Sequence, residues 1–115
     1  MQTGTDTTEN AKRNSWTFLS NHAHVLVCLA LDSDVRLREV AEQVGITERA
    51  VFKIVNQLED AGVVTRIREG RRNHYEIDTT VQLRHPLESQ RTVGSLLKMV
   101  LGPDDAKGLE QSQVA

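Results

Sequence analysis

Apolar residues recur along this chain in blocks, and the spacing inside each block predicts an element. The run Val25 to Leu31, VLVCLAL, is apolar on every side. A helix with that pattern is covered on more than one face, and it is expected to run from Thr17 to Leu31. Asp32, Ser33 and Asp34 read as a turn, and Val35 with Arg36 as a very short strand. Leu37, Val40, Ala41 and Val44 then fall at i, i+3, i+4 and i+7, and Val51, Ile54, Val55 and Leu58 repeat that stripe. Gly45 and Gly62 stop these two helices, and Thr47 caps the second with Glu48 in its first turn.

After Gly62 the period shortens to two. VVTRIRE alternates with β-branched residues, EGRRN is a polar turn holding Gly70, and HYEID puts Tyr75 and Ile77 on one face. Two strands around a glycine turn predict a β-hairpin. A last helix is expected over 86–101. Pro86 opens it, where a missing N–H is harmless. Val93, Leu96, Leu97, Val100 and Leu101 form its stripe, and Gly102 with Pro103 ends it. Residues 1–14 and 103–115 are polar and expected to be flexible tails, with one domain over 15–102 between them.

Ala41, Gly45 and Val51 have the spacing A-x3-G-x5-V. A helix-turn-helix needs a small residue where its helices cross and a residue free to take positive φ at the turn. It also needs an apolar residue that packs the second helix back on the first. All three are in place, and a hairpin directly after the second helix is a wing. The expected fold is mainly α with a small β-hairpin. It is a winged helix-turn-helix of order α-β-α-α-β-β-α, with a C-terminal dimerisation helix. That fold makes duplex DNA the first partner to consider.

The chain resembles the small winged-helix transcriptional regulators of bacteria and archaea in the ArsR and MarR superfamily, with short ArsR-like regulators the nearest likeness. The resemblance rests on TFLSNHAHVLVCLA at 17–30, LREVAEQVGITERAV at 37–51, LEDAGVVTR at 58–66 and GRRNHYEID at 70–78. It continues in RHPLE followed by VGSLL within 84–97. It implies a homodimer on a pseudo-palindromic operator. It further implies that the first and last helices build the interface, the third helix enters the major groove, and the wing touches the backbone or minor groove. The metal-sensing members carry an E-L-C-x-C motif at the second helix. Here the comparable stretch is Val35-Arg36-Leu37-Arg38, with no thiol, so no metal site is expected.

Net charge is -2, whereas nucleic-acid binders are often strongly basic. The distribution matters more than the sum. Arg66, Arg68, Arg71 and Arg72 crowd one short stretch with only Glu69 among them. A local basic patch on a near-neutral protein can still engage phosphates. The single Cys28 excludes an internal disulfide and fits a reducing cytoplasm. The polar N-terminus lacks a signal-peptide core, and no apolar run is long enough to span a membrane.

With its stripe facing inward, the third helix presents Thr47, Glu48, Arg49, Phe52, Lys53, Asn56 and Gln57. Arg reads guanine O6 and N7, and Asn or Gln reads adenine. Arg49 stands in the first turn, where recognition helices touch bases, and Lys53 one turn on. Phe52 can meet a thymine methyl or pad the interior. Glu48 suits capping better than phosphate contact. On the wing, Arg66, Arg68, Arg71, Arg72 and Asn73 are candidates for backbone or minor-groove contact, with Arg36 and Arg38 as weaker ones. Leu26, Leu29, Val93, Leu96, Leu97 and Val100 are candidates for the dimer interface. The alternative is that they close a monomer core.

His22 and His24 are two apart and lack the i, i+4 spacing of zinc-binding helices, and a buried thiol at Cys28 with polar histidines explains the three better than a metal or redox sensor. His85 and Glu88 form a weak i, i+3 pair. No phosphate-binding glycine loop, nucleophile–base pair or metal tetrad is present, so neither catalysis nor a cofactor is expected. The reading is a dimeric, cytoplasmic, sequence-specific regulator that acts as a repressor, with any small-molecule effector unidentified. Two alternatives keep the fold: a winged-helix protein-interaction module, and a ligand- or redox-responsive sensor built on Cys28.

Overall fold

The computed structural model describes residues 16–102. The expected tails at 1–14 and 103–115 lie outside the described residues. Among the described residues, four helices and a two-stranded antiparallel hairpin follow one another: α1 Asn21–Leu31, α2 Leu37–Val44, α3 Glu48–Asp60, β1 Val64–Glu69, β2 Arg72–Ile77, and α4 over 93–102.

The stripes identified by periodicity become the core. Val25 and Leu29 of α1, Val40 of α2, and Val51 and Val55 of α3 are all sealed from solvent, together with Leu97 of α4. Val63, Val64 and Tyr75 carry the core onto the hairpin. The interior is aliphatic apart from Cys28, Tyr75 and Thr79, while Trp16, Phe18 and Phe52 stand on the surface.

The helix-turn-helix closes as its spacing requires. Gly45 takes φ +87° and its N–H bonds the Ala41 carbonyl at 2.8 Å. This left-handed cap turns the chain within three residues, because glycine enters that region without a Cβ penalty. Thr47 Oγ1 accepts the Ala50 N–H at 3.0 Å and starts α3.

Three local expectations are corrected. α1 begins at Asn21 rather than Thr17, because Ser20 Oγ accepts the Ala23 N–H at 3.3 Å and caps the helix there. Val35 and Arg36 form no strand. A single backbone hydrogen bond, Tyr75 N–H to Ser33 O at 2.8 Å, joins that loop to β2.

The last helix starts at residue 93, not at Pro86. Thr92 Oγ1 accepts the Ser95 N–H at 3.1 Å as its cap. Pro86 sits instead in a run of turns closed by a Leu83 N–H to Arg91 O bond of 2.9 Å and a Gln82–Thr92 bridge. His85 and Glu88 are therefore in this turn segment and are not a helical pair. The segment is pinned to the core when Val93 and Gly94 donate their N–H groups to Val81 O and Thr79 O.

Candidate nucleic-acid interface

The inward stripe of α3 fixes what its other face can offer. Thr47, Glu48, Arg49, Phe52, Lys53 and Gln57 are exposed. Arg49 and Lys53 lie one turn apart, and neither pairs with another described side chain. Asn56 differs from the expectation: it is half-buried, and its Oδ1 accepts a hydrogen bond from Arg66 Nη2 at 2.8 Å. Gln57 is also engaged, with Oε1 2.6 Å from His22 Nε2 of α1.

The hairpin stands beside this face. Its register pairs Val64 with Ile77 through Glu69 with Arg72, leaving Gly70 and Arg71 as a two-residue turn. Such turns need a positive φ, and Gly70 supplies +64°. Cross-strand partners share a face. One face therefore holds Val64, Arg66, Arg68, Asn73, Tyr75 and Ile77, and packs on the core through Val64 and Tyr75. The other holds Thr65, Ile67, Glu69, Arg72, His74 and Glu76.

The four wing arginines have different tasks. Arg66 points at α3, where Nη2 lies 2.6 Å from Glu59 Oε1 and the guanidinium rests 5.5 Å from the centre of the Phe52 ring. It is a brace, not a free phosphate ligand. Arg68 folds back on the turn and bonds Gly70 O at 2.8 Å, and Arg72 bonds Asp34 O at 2.6 Å. Both keep exposed surface. Arg71 is the exposed tip. A depression of about 460 Å³ between the start of α2, Glu48 and the hairpin turn is lined by Arg36, Arg71, Arg72 and Asn73. Arg36 is also the residue before α2, and no side chain caps that helix start. Asp34 and Glu48 line it as well, so three arginines share the depression with two acids.

Sequence reasoning missed how the wing is fastened. His74 Nδ1 lies 2.9 Å from Asp34 Oδ1 in the α1–α2 turn. That hydrogen bond, with the negative charges of Asp34, Glu69 and Glu76, raises the His74 pKa above the ordinary imidazole value. Asp78, just past β2, is held below the usual carboxylate value by hydrogen bonds from the Thr80 side chain and backbone.

Cys28 is buried, and its Sγ donates to Gln43 Oε1 at 3.1 Å. Burial raises its pKa, so the reactive thiolate is scarce. The expected interface residues divide. Leu26, Leu29, Val93 and Leu97 are consumed by the chain's own core, while Leu96 is half-buried and Val100 exposed. Leu96, with Phe18, Leu19 and Met99, lines an open groove of about 1240 Å³ between the start of α1, the end of α3, the 82–91 turns and α4. Arg49 and Lys53 do not line it. No helix among the described residues is long and apolar enough to cross a membrane.

The family model described as "Sugar-specific transcriptional regulator TrmB" matches residues 18–80, from α1 through the wing. No curated protein matches the chain. Among solved structures, it is similar to MepR, a transcription regulator of the Staphylococcus aureus multidrug efflux pump MepA. That match has 18% identity and a TM-score of 0.48, over 90% of this chain and 68% of that one. A Mycobacterium tuberculosis MarR family protein, solved in complex with salicylic acid, matches at 18% identity and a TM-score of 0.49, over 84% and 64% of the two chains. The Streptomyces coelicolor regulator PcaV, solved with its natural ligand, matches at 16% identity and a TM-score of 0.48, over 98% and 94%.

Proposed function

The chain belongs to the TrmB family of transcriptional regulators, and from that premise we propose that it is a homodimeric, sequence-specific DNA-binding repressor. The observation that carries this reading is the open face of α3. Arg49 and Lys53 project from it without a partner among the described side chains, beside a hairpin whose tip is Arg71. In this reading α3 lies in the major groove, Arg49 and Lys53 read base edges, and Phe52 borders them. Arg36, Arg71 and Arg72 hold the flanking phosphates, which adds affinity without sequence information. Glu48 stays at the helix start, where it favours the α3 dipole. A small module of this kind represses by occupying a promoter, in the cytoplasm where the operator is.

Selection of bound duplexes from a random pool tests the reading. A reproducible motif with two half-sites supports it, and the absence of duplex binding even at low salt overturns it. The half-site spacing also reports on the dimer. Exposed Phe18, Met99 and Val100 favour pairing across the α1–α4 groove. A redox sensor built on Cys28 is disfavoured by the burial of its thiol.

A further inference from the structure

We propose that Asp34, Glu69 and His74 form a binding site for a first-row divalent metal ion, of the zinc and manganese class, where the wing meets the α1–α2 turn. The three residues come from three segments: the turn, the end of β1 and the middle of β2. One donor atom from each lies within 4.8 Å of the others. Ions of this class hold nitrogen and oxygen ligands at about 2.0–2.2 Å, so their ligands stand roughly 3–4 Å apart. His74 Nδ1 and Asp34 Oδ1 are already 2.9 Å apart. Glu69 is exposed at the last position of its strand, so its carboxylate can close the remaining gap by side-chain rotation.

The chemistry of the donors selects the class. One imidazole nitrogen and two carboxylates suit zinc, manganese, cobalt or nickel, and there is no thiolate to favour a softer ion. Asp34 and Glu69 are exposed, so water can complete the coordination. On binding, the ion takes the place of the proton shared between His74 Nδ1 and Asp34, and that proton leaves to solvent.

The charge pattern around the site supplies a second argument. Asp34, Glu69 and Glu76 all act on His74, while Arg72 is the one cation of the hairpin residues on this face. Its guanidinium bonds the Asp34 carbonyl, leaving the carboxylate to His74. A His74–Asp34 pair fastens two of the three residues, and Glu69 stands opposite Arg72 across the hairpin. A bound cation joins all three, and it cross-links the wing to the turn. The site stands whether or not the hairpin touches DNA.

Calorimetric titration of the full, untagged chain with Zn²⁺ and with Mn²⁺, in chelator-stripped buffer, is the test. One equivalent is expected to bind, with affinity falling about tenfold or more in Glu69→Gln and in His74→Gln. Glu69→Gln changes an exposed side chain and leaves the fold intact, so its loss of binding is not a folding effect. His85→Ala and Cys28→Ser are expected to bind as the parent does. Amide shifts on titration are expected at 34, 69 and 74 and their neighbours. Absence of binding at millimolar metal, or equal affinity in the parent and Glu69→Gln, overturns the proposal.

Discussion

Arg66 and Glu59 are joined at 2.6 Å, and this ion pair ties the first wing strand to the face of α3. The same guanidinium bonds Asn56 and rests over Phe52. One side chain thus joins the wing to α3 at three residues, beside the core packing of Val64 and Tyr75. The pair is partly exposed, at 21% and 31%, so solvent screening reduces its contribution. Arg66→Ala is expected to cost about 1–2 kcal/mol in urea unfolding. In a double-mutant cycle, Glu59→Gln and Arg66→Ala should be less than additive. Full additivity would mean that the brace does not exist in solution.

Arg49 and Arg71 differ in what surrounds them, and their variants should differ in kind. Arg49→Ala removes a base-edge donor. It is expected to cost about 1–3 kcal/mol on the selected duplex and to relax preference at one position of each half-site. Arg71→Ala removes a phosphate contact. It should weaken binding evenly across sequences, and lower the slope of log affinity against log salt by about one per subunit. Gel shifts on specific and scrambled duplexes at several salt concentrations separate the two outcomes.

Gly45 is the hinge between α2 and α3 at φ +87°, and a Cβ built there meets nothing within 4 Å. The cost of Gly45→Ala is then purely a backbone one, about 1 kcal/mol, with no steric clash added. Gly45→Asn should cost less, since Asn tolerates the left-handed region. Thermal unfolding of the two variants gives the order directly. Equal loss for Ala and Asn would show that crowding, not backbone preference, controls the site.

What was legible in the sequence is what local rules decide. Gly45, Thr47 and Gly70 mark turns that close within four residues, and the stripes of α2 and α3 read true at helical period. Two helix starts were misplaced because a cap competes with another local signal. Ser20 lies inside a run that looks helical from Thr17, and Pro86 is a helix-start signal six residues before Thr92, whose hydroxyl is the actual cap. The Arg66–Glu59 brace, the Arg72–Asp34 contact and the His74–Asp34 pair span 7, 38 and 40 positions. No periodicity encodes them, since they exist only once the hairpin has docked. Four of the six expected interface residues went to the core for a related reason. An apolar stripe reveals that a face is covered, not which chain covers it.

Cys28 should be chemically quiet in the folded protein. Its thiol is buried, donates to Gln43 Oε1, and has its pKa raised by burial. A raised pKa means less thiolate at any pH below it, so alkylation by iodoacetamide at pH 7–8 should be slowed in the folded chain. The native chain is expected to react far more slowly than the urea-unfolded one, with the rate rising in Gln43→Ala. Equal rates for native and unfolded protein would show that the thiol is accessible.

The last helix offers a direct separation of core from interface. Leu97 is 0% exposed and Met99 68%, though they lie two residues apart on α4. Leu97→Ala leaves a cavity and should cost about 2–5 kcal/mol of stability whatever the oligomeric state. Met99→Glu puts a charge on the surface beside the groove shared with Phe18 and Leu96. A charge that must be desolvated against apolar residues opposes association but costs the isolated chain little. Met99→Glu is therefore expected to keep its unfolding midpoint at low protein concentration, and to raise the dimer dissociation constant roughly tenfold or more in sedimentation equilibrium. Binding to a two-half-site duplex should weaken with it, while binding to a single half-site should not. If Met99→Glu sediments as the parent does, this groove is not where two copies meet.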